Sequence, residues 1–198
     1  MEIKVEDKVY VVKKPGTKEI NAAKKFSSIK FREYIEDGMM LRDELDRILQ
    51  KRGYWTEEKK KELKDVTEKI EANVEELKKK LSKDKKKEIA IQTKYLRVVF
   101  NLLSNQQNEV YKHTVESRVD DDYFDFLVSE CVFTESGEKV YGSFSEYQDK
   151  STEELAVKSA NKLAEIIYGL DPNWQDKLPE NEVLKSMDLL DEEMNLKE

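Results

Sequence analysis

Six apolar residues between positions 63 and 81 constrain this chain more than any other feature. Leu63, Val66, Ile70, Val74, Leu77 and Leu81 are spaced 3, 4, 4, 3 and 4 residues apart. A period near 3.5 puts them on one narrow stripe of an α-helix, the pattern of a coiled-coil seam. The residues between them are mostly Lys and Glu, so the other faces are solvated. Ser82-Lys-Asp-Lys85 then interrupts the helix, with Ser82 or Asp84 available to cap the next one. That helix carries Ile89, Leu96, Val99, Leu103 and Val110 along one side. Two long helices joined by so short a connection are expected to lie antiparallel. At ~1.5 Å per residue each arm is roughly 35–40 Å long. A helix pair of this length leaves one side of its seam open, and the first helix of the chain or another chain must cover it.

Composition narrows the class. Of 198 residues, 38% are hydrophobic and 40% charged, a balance that suits long solvent-laced helices better than one compact globule. Cys131 is the only cysteine, which excludes an intramolecular disulfide and a Cys-based zinc site and fits a reducing compartment. No apolar run reaches 18 residues, and the opening MEIKVEDKVY lacks the apolar core of a signal peptide. The expectation is a soluble, intracellular protein with no membrane association. The net charge of −7 conceals an asymmetry: residues 1–115 hold 28 Lys+Arg against 21 Asp+Glu, and residues 116–198 hold 8 against 22. A chain so polarised can pair its halves within or between molecules. Its basic half is not expected to bind nucleic acid, because most of its lysines are interleaved with glutamates that cancel the field phosphates need; Lys78–Lys87 is the segment that would carry it.

Ile3, Val5, Val9 and Val11 alternate with polar residues over 2–13, a β-hairpin turning at Glu6-Asp7. Pro15-Gly16 ends it, and Thr17 is placed to cap one long helix running from about 18 to 52, with Gly38 inside it and Gly53 as its stop. Tyr54-Trp55 makes an aromatic corner before Thr56, the cap of the seam helix. Residues 104–122 turn polar and then acidic, which predicts a linker or a frayed helix end. A compact unit follows over 120–178. It comprises a helix at 123–131, a strand from Val132-Phe133, a turn at Ser136-Gly137 and a Ser151-x-x-Glu154 capping box opening a helix that ends at Gly169. Trp174 and Leu178 are expected to fold back on that helix. The tail from 179 holds one short helix near 183–190 and then acidic residues expected to be mobile. The fold class is therefore mainly α with minor β: an N-terminal β-hairpin plus long-helix region over 1–115, a small C-terminal helical unit with a strand and turn over 120–178, and an acidic tail over 179–198.

No cluster of side chains names a reaction. His113 is the only histidine and sits among polar neighbours, so it is read as solvent-exposed. Asp120-Asp121-Asp122 are consecutive and lack the alternating ligands, Gly and distal Glu of a calcium loop; a helix N-terminus that favours negative charge accounts for them. Cys131 shares an apolar stripe with Leu127 and Val128, and Glu130 and Glu135 oppose thiolate formation, so it is read as a small buried hydrophobe. Glycine-rich phosphate loops are absent. The expectation is no catalytic residue, no metal and no cofactor. Leu63, Val66, Ile70, Val74, Leu77, Tyr54, Trp55 and Trp174 are the candidates for a partner-binding surface, with a domain core as the alternative for most of them.

Two segments carry a resemblance. VEDKVYVVKKPGTKEINAAKKF resembles the opening of proteins of tailed, T4-like marine bacteriophages. FLVSECVFTESGEKVYGSFSEY, followed by LAVKSANKLAEIIYGLDP, resembles phage tail and baseplate assembly chaperones, at Cys131, Gly137, Tyr141, Leu155, Leu163, Ile167 and Leu170. The likeness covers about 70 residues in two pieces and includes no catalytic motif. It implies a non-enzymatic role in tail or baseplate assembly, or a minor place in the virion, in the host cytoplasm or the particle. Its partners would be phage tail or baseplate proteins or further copies of the chain. The alternative reading is a phage regulator that binds a host protein through its acidic C-terminal face.

Overall fold

A computed structural model describes residues 1–171 and 173–197. It is mainly helical with one small antiparallel sheet, and it divides into two compact units. The first comprises Met1–Arg42 and Lys112–Asp171, the second Asp43–Tyr111 and the C-terminal segment from 173.

The first unit opens with the expected hairpin, β1 (Glu2–Val5) and β2 (Lys8–Val12), paired Ile3 to Tyr10 and Val5 to Lys8. Glu6 takes a left-handed φ of 51° at the turn. β3 (Val132–Thr134) adds to the other edge of β2, with Val12 opposite Val132. Helix α1 (Thr17–Glu36) starts one residue earlier than expected, so that Thr17 is its first residue and not its cap. Gly16 holds the N-cap position, and the Glu19 carboxylate accepts its N–H at 2.9 Å.

The helix expected over 18–52 is two helices, α1 and α2 (Arg42–Lys51). Gly38 is the cause. At φ 78° it sits in the left-handed region, and the chain closes as a Schellman cap, Gly38 N–H to Ile35 C=O at 3.0 Å and Met39 N–H to Tyr34 C=O at 2.9 Å. Gly53 repeats the device at the end of α2, with Tyr54 N–H on Leu49 C=O at 2.9 Å. The segment after Gly38 is held by α5 (Val115–Cys131): Val115 N–H donates to Met40 C=O at 3.0 Å, and the Arg42 N–H to the Glu116 carboxylate at 2.9 Å.

The polar stretch 104–122 is not a linker. α4 runs on to Tyr111, and buried Thr114 caps α5 after a turn of three residues. Thr and Ser at caps satisfy donors that a helix cannot satisfy itself, so polarity here marks a helix start. The predicted capping box at Ser151 does not form either. A short helix, α6 (Phe144–Asp149), ends just before it, and the Ser151 hydroxyl is spent on the Gln148 carbonyl at 2.8 Å. Glu153 then takes the N-cap position of α7 (Glu154–Tyr168).

The aromatic insert 131–147 supplies the first unit with core. Val140 N–H returns to Val132 C=O at 3.0 Å across the turn at Gly137. Tyr141 and Tyr147 are buried edge to face, centroids 5.1 Å apart, beside Val12, Leu127, Val128, Cys131, Ala156 and Leu163. Phe144 packs on Phe26 at 4.6 Å. Each ring of this kind contributes on the order of 1.5–3 kcal/mol by leaving water.

In the second unit, α3 (Glu57–Leu77) and α4 (Lys83–Tyr111) form the predicted helical hairpin, about 31 and about 43 Å long at ~1.5 Å per residue. Thr56 caps α3 by accepting the Lys59 N–H at 3.4 Å, and Ser82 caps α4 by accepting that of Lys85 at 3.3 Å. The cover for the seam comes from the C-terminus. Helix α8 (Pro179–Ser186) packs on both α3 and α4, putting Leu184 and Leu190 against Leu77, Ile89 and Ala90. The acidic tail, expected to be mobile, contributes core residues, and Leu190 pairs with Leu196 in an isolated bridge. Trp174, expected on the helix ending at Gly169, lies in a 3₁₀ turn (Trp174–Lys177) that packs on α8.

Charge explains that docking. Glu180 is buried in the first turn of α8 and meets the Arg97 guanidinium, whose Nη2 also donates at 3.4 Å. Lys94 donates to the Asn181 side chain at 3.2 Å. The end-to-end polarity of the sequence is thus used inside the second unit, basic α4 against the acidic C-terminal segment.

Candidate functional site

α4 has three faces. One buries Ile89, Thr93 and Leu103; a second meets α8 at Ala90, Lys94 and Arg97. The third is bare. Tyr95, Val98 and Leu102 are 63%, 55% and 59% exposed, at i, i+3 and i+7, and exposed Asn105 and Glu109 continue the 3-4 spacing. At 3.6 residues per turn these five occupy an arc of about 80°, the width of a helix seam. They surround the longest stretch of the sequence without a charge, residues 98–108, in a protein with 40% charged residues. Depletion of charge together with exposed aromatic and aliphatic side chains characterises the buried centre of protein interfaces.

The C-terminal half of this face ends in a cleft of about 700 Å³ lined by Leu49, Tyr54, Trp55 and Lys59 on one side and Leu102, Gln106 and Glu109 on the other. The Schellman cap at Gly53 turns the chain so that Tyr54 projects, 67% exposed, while Trp55 is 1% exposed. The indole N–H of Trp55 is buried and has no acceptor among the described residues. Lys59 stands by the cleft with its ammonium on the Tyr54 carbonyl at 3.1 Å and 6.0 Å from the Trp55 ring centre. The α2 side is braced by Asp46, which accepts from Lys60 at 2.5 Å, from Gln50 at 3.0 Å and from the Tyr111 hydroxyl. Burial by itself raises the Asp46 carboxyl, but these hydrogen bonds outweigh it and hold it below the ordinary carboxylate range.

The structure sorts the sequence-derived partner residues. Trp55, Val66, Ile70 and Leu77 are buried within their own unit, so as they stand they offer a partner nothing. Leu63 is half-buried, as is Val74, which lines a second cleft of about 510 Å³ with Ile70, Arg97 and Phe100. Tyr54 and Trp174 are exposed. Tyr95, Val98 and Leu102 escaped the sequence reading because Leu96, Val99 and Leu103, one position on, satisfy the same period. The charge-free run is the signal that marks them.

The three residues considered for chemistry have ordinary surroundings. His113 is exposed in the turn between α4 and α5. Cys131 is buried, and burial first, then Glu19 and Glu130, push its thiol up to about 11. Asp120-Asp121-Asp122 lie in the second turn of α5, not at its N-terminus, and Asp122 is buried, accepting from the Tyr34 hydroxyl. Burial, helped by Asp122, raises Tyr34 to about 12. One turn on, Asp125 accepts from the Tyr147 hydroxyl at 3.3 Å; burial raises its carboxyl, and Asp121 and Asp122 add to the rise. Among the described residues no group of three or more His, Cys, Asp or Glu is arranged to hold a metal ion.

The raised Asp125 carboxyl has a consequence for stability. Above its folded-state value both folded and unfolded chains are ionised there, and the folded state carries the full cost. As pH falls through that value the folded chain takes the proton first, and below the unfolded value of 3.8 the cost is gone. Asp125→Asn, which keeps an acceptor for Tyr147, is therefore expected to raise the melting temperature at pH 7. The gain should shrink to nothing below pH 3.8, which thermal unfolding followed by circular dichroism at the two pH values will check.

What the fold defines is a class: a mainly helical, two-unit protein with an exposed helix face, charged only at Glu109, beside an aromatic cleft. No family model matches the chain, and no curated protein and no solved structure matches it. Among the described residues no helix is long and apolar enough to cross a membrane.

Proposed function

We propose that this is a non-enzymatic protein–protein interaction protein of a tailed phage. It acts in tail or baseplate assembly in the manner of a chaperone, or as a minor structural component of the virion, and it works in the host cytoplasm. The observation that carries the interaction role is the bare α4 face: Tyr95, Val98 and Leu102 exposed at seam spacing within an eleven-residue run free of charge. Leaving three large apolar side chains in water on one face has a cost that a partner removes, about 25 cal/mol for each Å² of apolar surface covered. The phage setting rests on the resemblance at Cys131, Gly137, Tyr141, Leu155, Leu163, Ile167 and Leu170. Cys131 ends α5, Gly137 is in the turn after β3, Tyr141 precedes α6, Leu155, Leu163 and Ile167 are on α7, and Leu170 follows its Gly169 cap. The resemblance gives such chaperones a helix, strand, turn and closing helix; in this chain α6 stands between the turn and α7.

The test is recovery of a tagged chain from infected cells, with Leu102→Glu alongside. Tail or baseplate proteins should accompany the wild-type chain and fall at least tenfold with the variant. Recovery of host proteins alone would sink the assembly role. It would favour a regulator acting through the exposed carboxylates of Asp191, Glu192 and Glu193, and reversing those charges would then abolish binding.

A further inference from the structure

Resting on the reading of α4 as an interaction face, we propose that its occupant is a second copy of this chain, docked antiparallel about a twofold axis at Leu102. The face is self-complementary about that residue. A twofold antiparallel pair centred at 102 sets residue 102+k opposite residue 102−k of the other copy, and such isologous contacts occur twice. Seven residues C-terminal to Leu102, about 10 Å along the helix, is Glu109, on the wall of the cleft formed with Tyr54, Trp55 and Lys59. Seven residues N-terminal is Tyr95, a projecting side chain 63% exposed. Each copy thus brings a protruding aromatic to the concavity of the other.

Charge agrees with the same centre. A twofold pair brings identical patches together, so any charge near the axis meets its own sign. Here residues 98–108 are uncharged, and the one charged residue on the face, Glu109, falls opposite Tyr95, while Lys94 and Arg97 are turned to α8. A partner chosen without symmetry would place no such demand on both sides of Leu102. The contact is one helix face with two aromatic insertions, at the low end of specific interfaces, so dissociation is expected on the order of 1–100 μM.

Sedimentation of the full chain from about 1 to about 500 μM, a range bracketing that expectation, tests the proposal. The mass should rise from 23.3 kDa toward twice that value. Leu102→Glu, on an exposed position, should keep its helical circular dichroism and stay at 23.3 kDa throughout. Leu102→Cys should form a disulfide-linked dimer on mild oxidation, since the axis passes through it, whereas wild-type Cys131 is buried and should not. A wild-type chain that stays monomeric at every concentration would overturn the second-copy proposal, as would a dimer that Leu102→Glu leaves intact. If that monomer still loses its phage partners on Leu102→Glu, the interaction-face reading stands and only the identity of the occupant falls.

Discussion

Arg97→Met is expected to destabilise the second unit by about 2–4 kcal/mol. The substitution leaves the Glu180 carboxylate, 1% exposed, without its guanidinium. Removing one member of a fully buried pair costs ~3–5 kcal/mol, because the remaining charge stays out of water. Arg97 is itself partly exposed, and solvent near it moderates the loss. The readout is selective. Both tryptophans, Trp55 and Trp174, belong to the second unit, so denaturant unfolding followed by tryptophan emission reports that unit. Arg97→Met combined with Glu180→Leu should recover most of the loss, since an apolar pair has no charge to strand. A single variant within about 0.5 kcal/mol of wild type would mean that the α8 contact contributes nothing, surface substitutions falling in that range.

Leu163→Ala is expected to cost the first unit about 3 kcal/mol. Leu163 is fully buried on α7, in one cluster with Ala156, Leu127, Val128 and Cys131. Truncating such a leucine loses its transfer free energy and leaves a cavity, together ~2–5 kcal/mol. The sole cysteine gives the measurement. Cys131 lies in that cluster and is labelled by a thiol reagent only when the unit opens, so its labelling rate should rise by about two orders of magnitude, at ~1.4 kcal/mol per factor of ten. An unchanged rate would show that α7 does not close the core over Cys131.

The 3.5-residue period from Leu63 to Leu77 makes the helical hairpin legible in the sequence; Leu81, which fits the same period, lies past the end of α3 in the connection to α4. The hairpin β1–β2 and the strand at Val132 were legible for a similar reason, alternation bounded by turn residues. What failed were boundaries set by competition. Gly38 reads equally as a tolerated helical glycine or as a left-handed cap, and only the anchoring of the next residues on Val115 and Glu116 decides. Ser151 is a good cap by type, but the Gln148 carbonyl one turn earlier claims its hydroxyl. The C-terminal segment looked mobile because Asp and Glu dominate it. Its role appears only when Glu180 is set beside Arg97, 83 residues away in sequence. The candidate site was half legible: Tyr54 and Trp55 stood out as an aromatic corner, but the α4 face hid behind a core stripe one residue out of phase.

The central claim is that the molecule works through the third face of α4. A photo-crosslinking residue at position 102, with exposed position 157 on α7 as a control, tests it directly in cells that make the protein. The account predicts adducts to protein from position 102, lost when Val98 is changed to Glu in the same chain. A bare chain at 102 beside abundant adducts at 157 would contradict it.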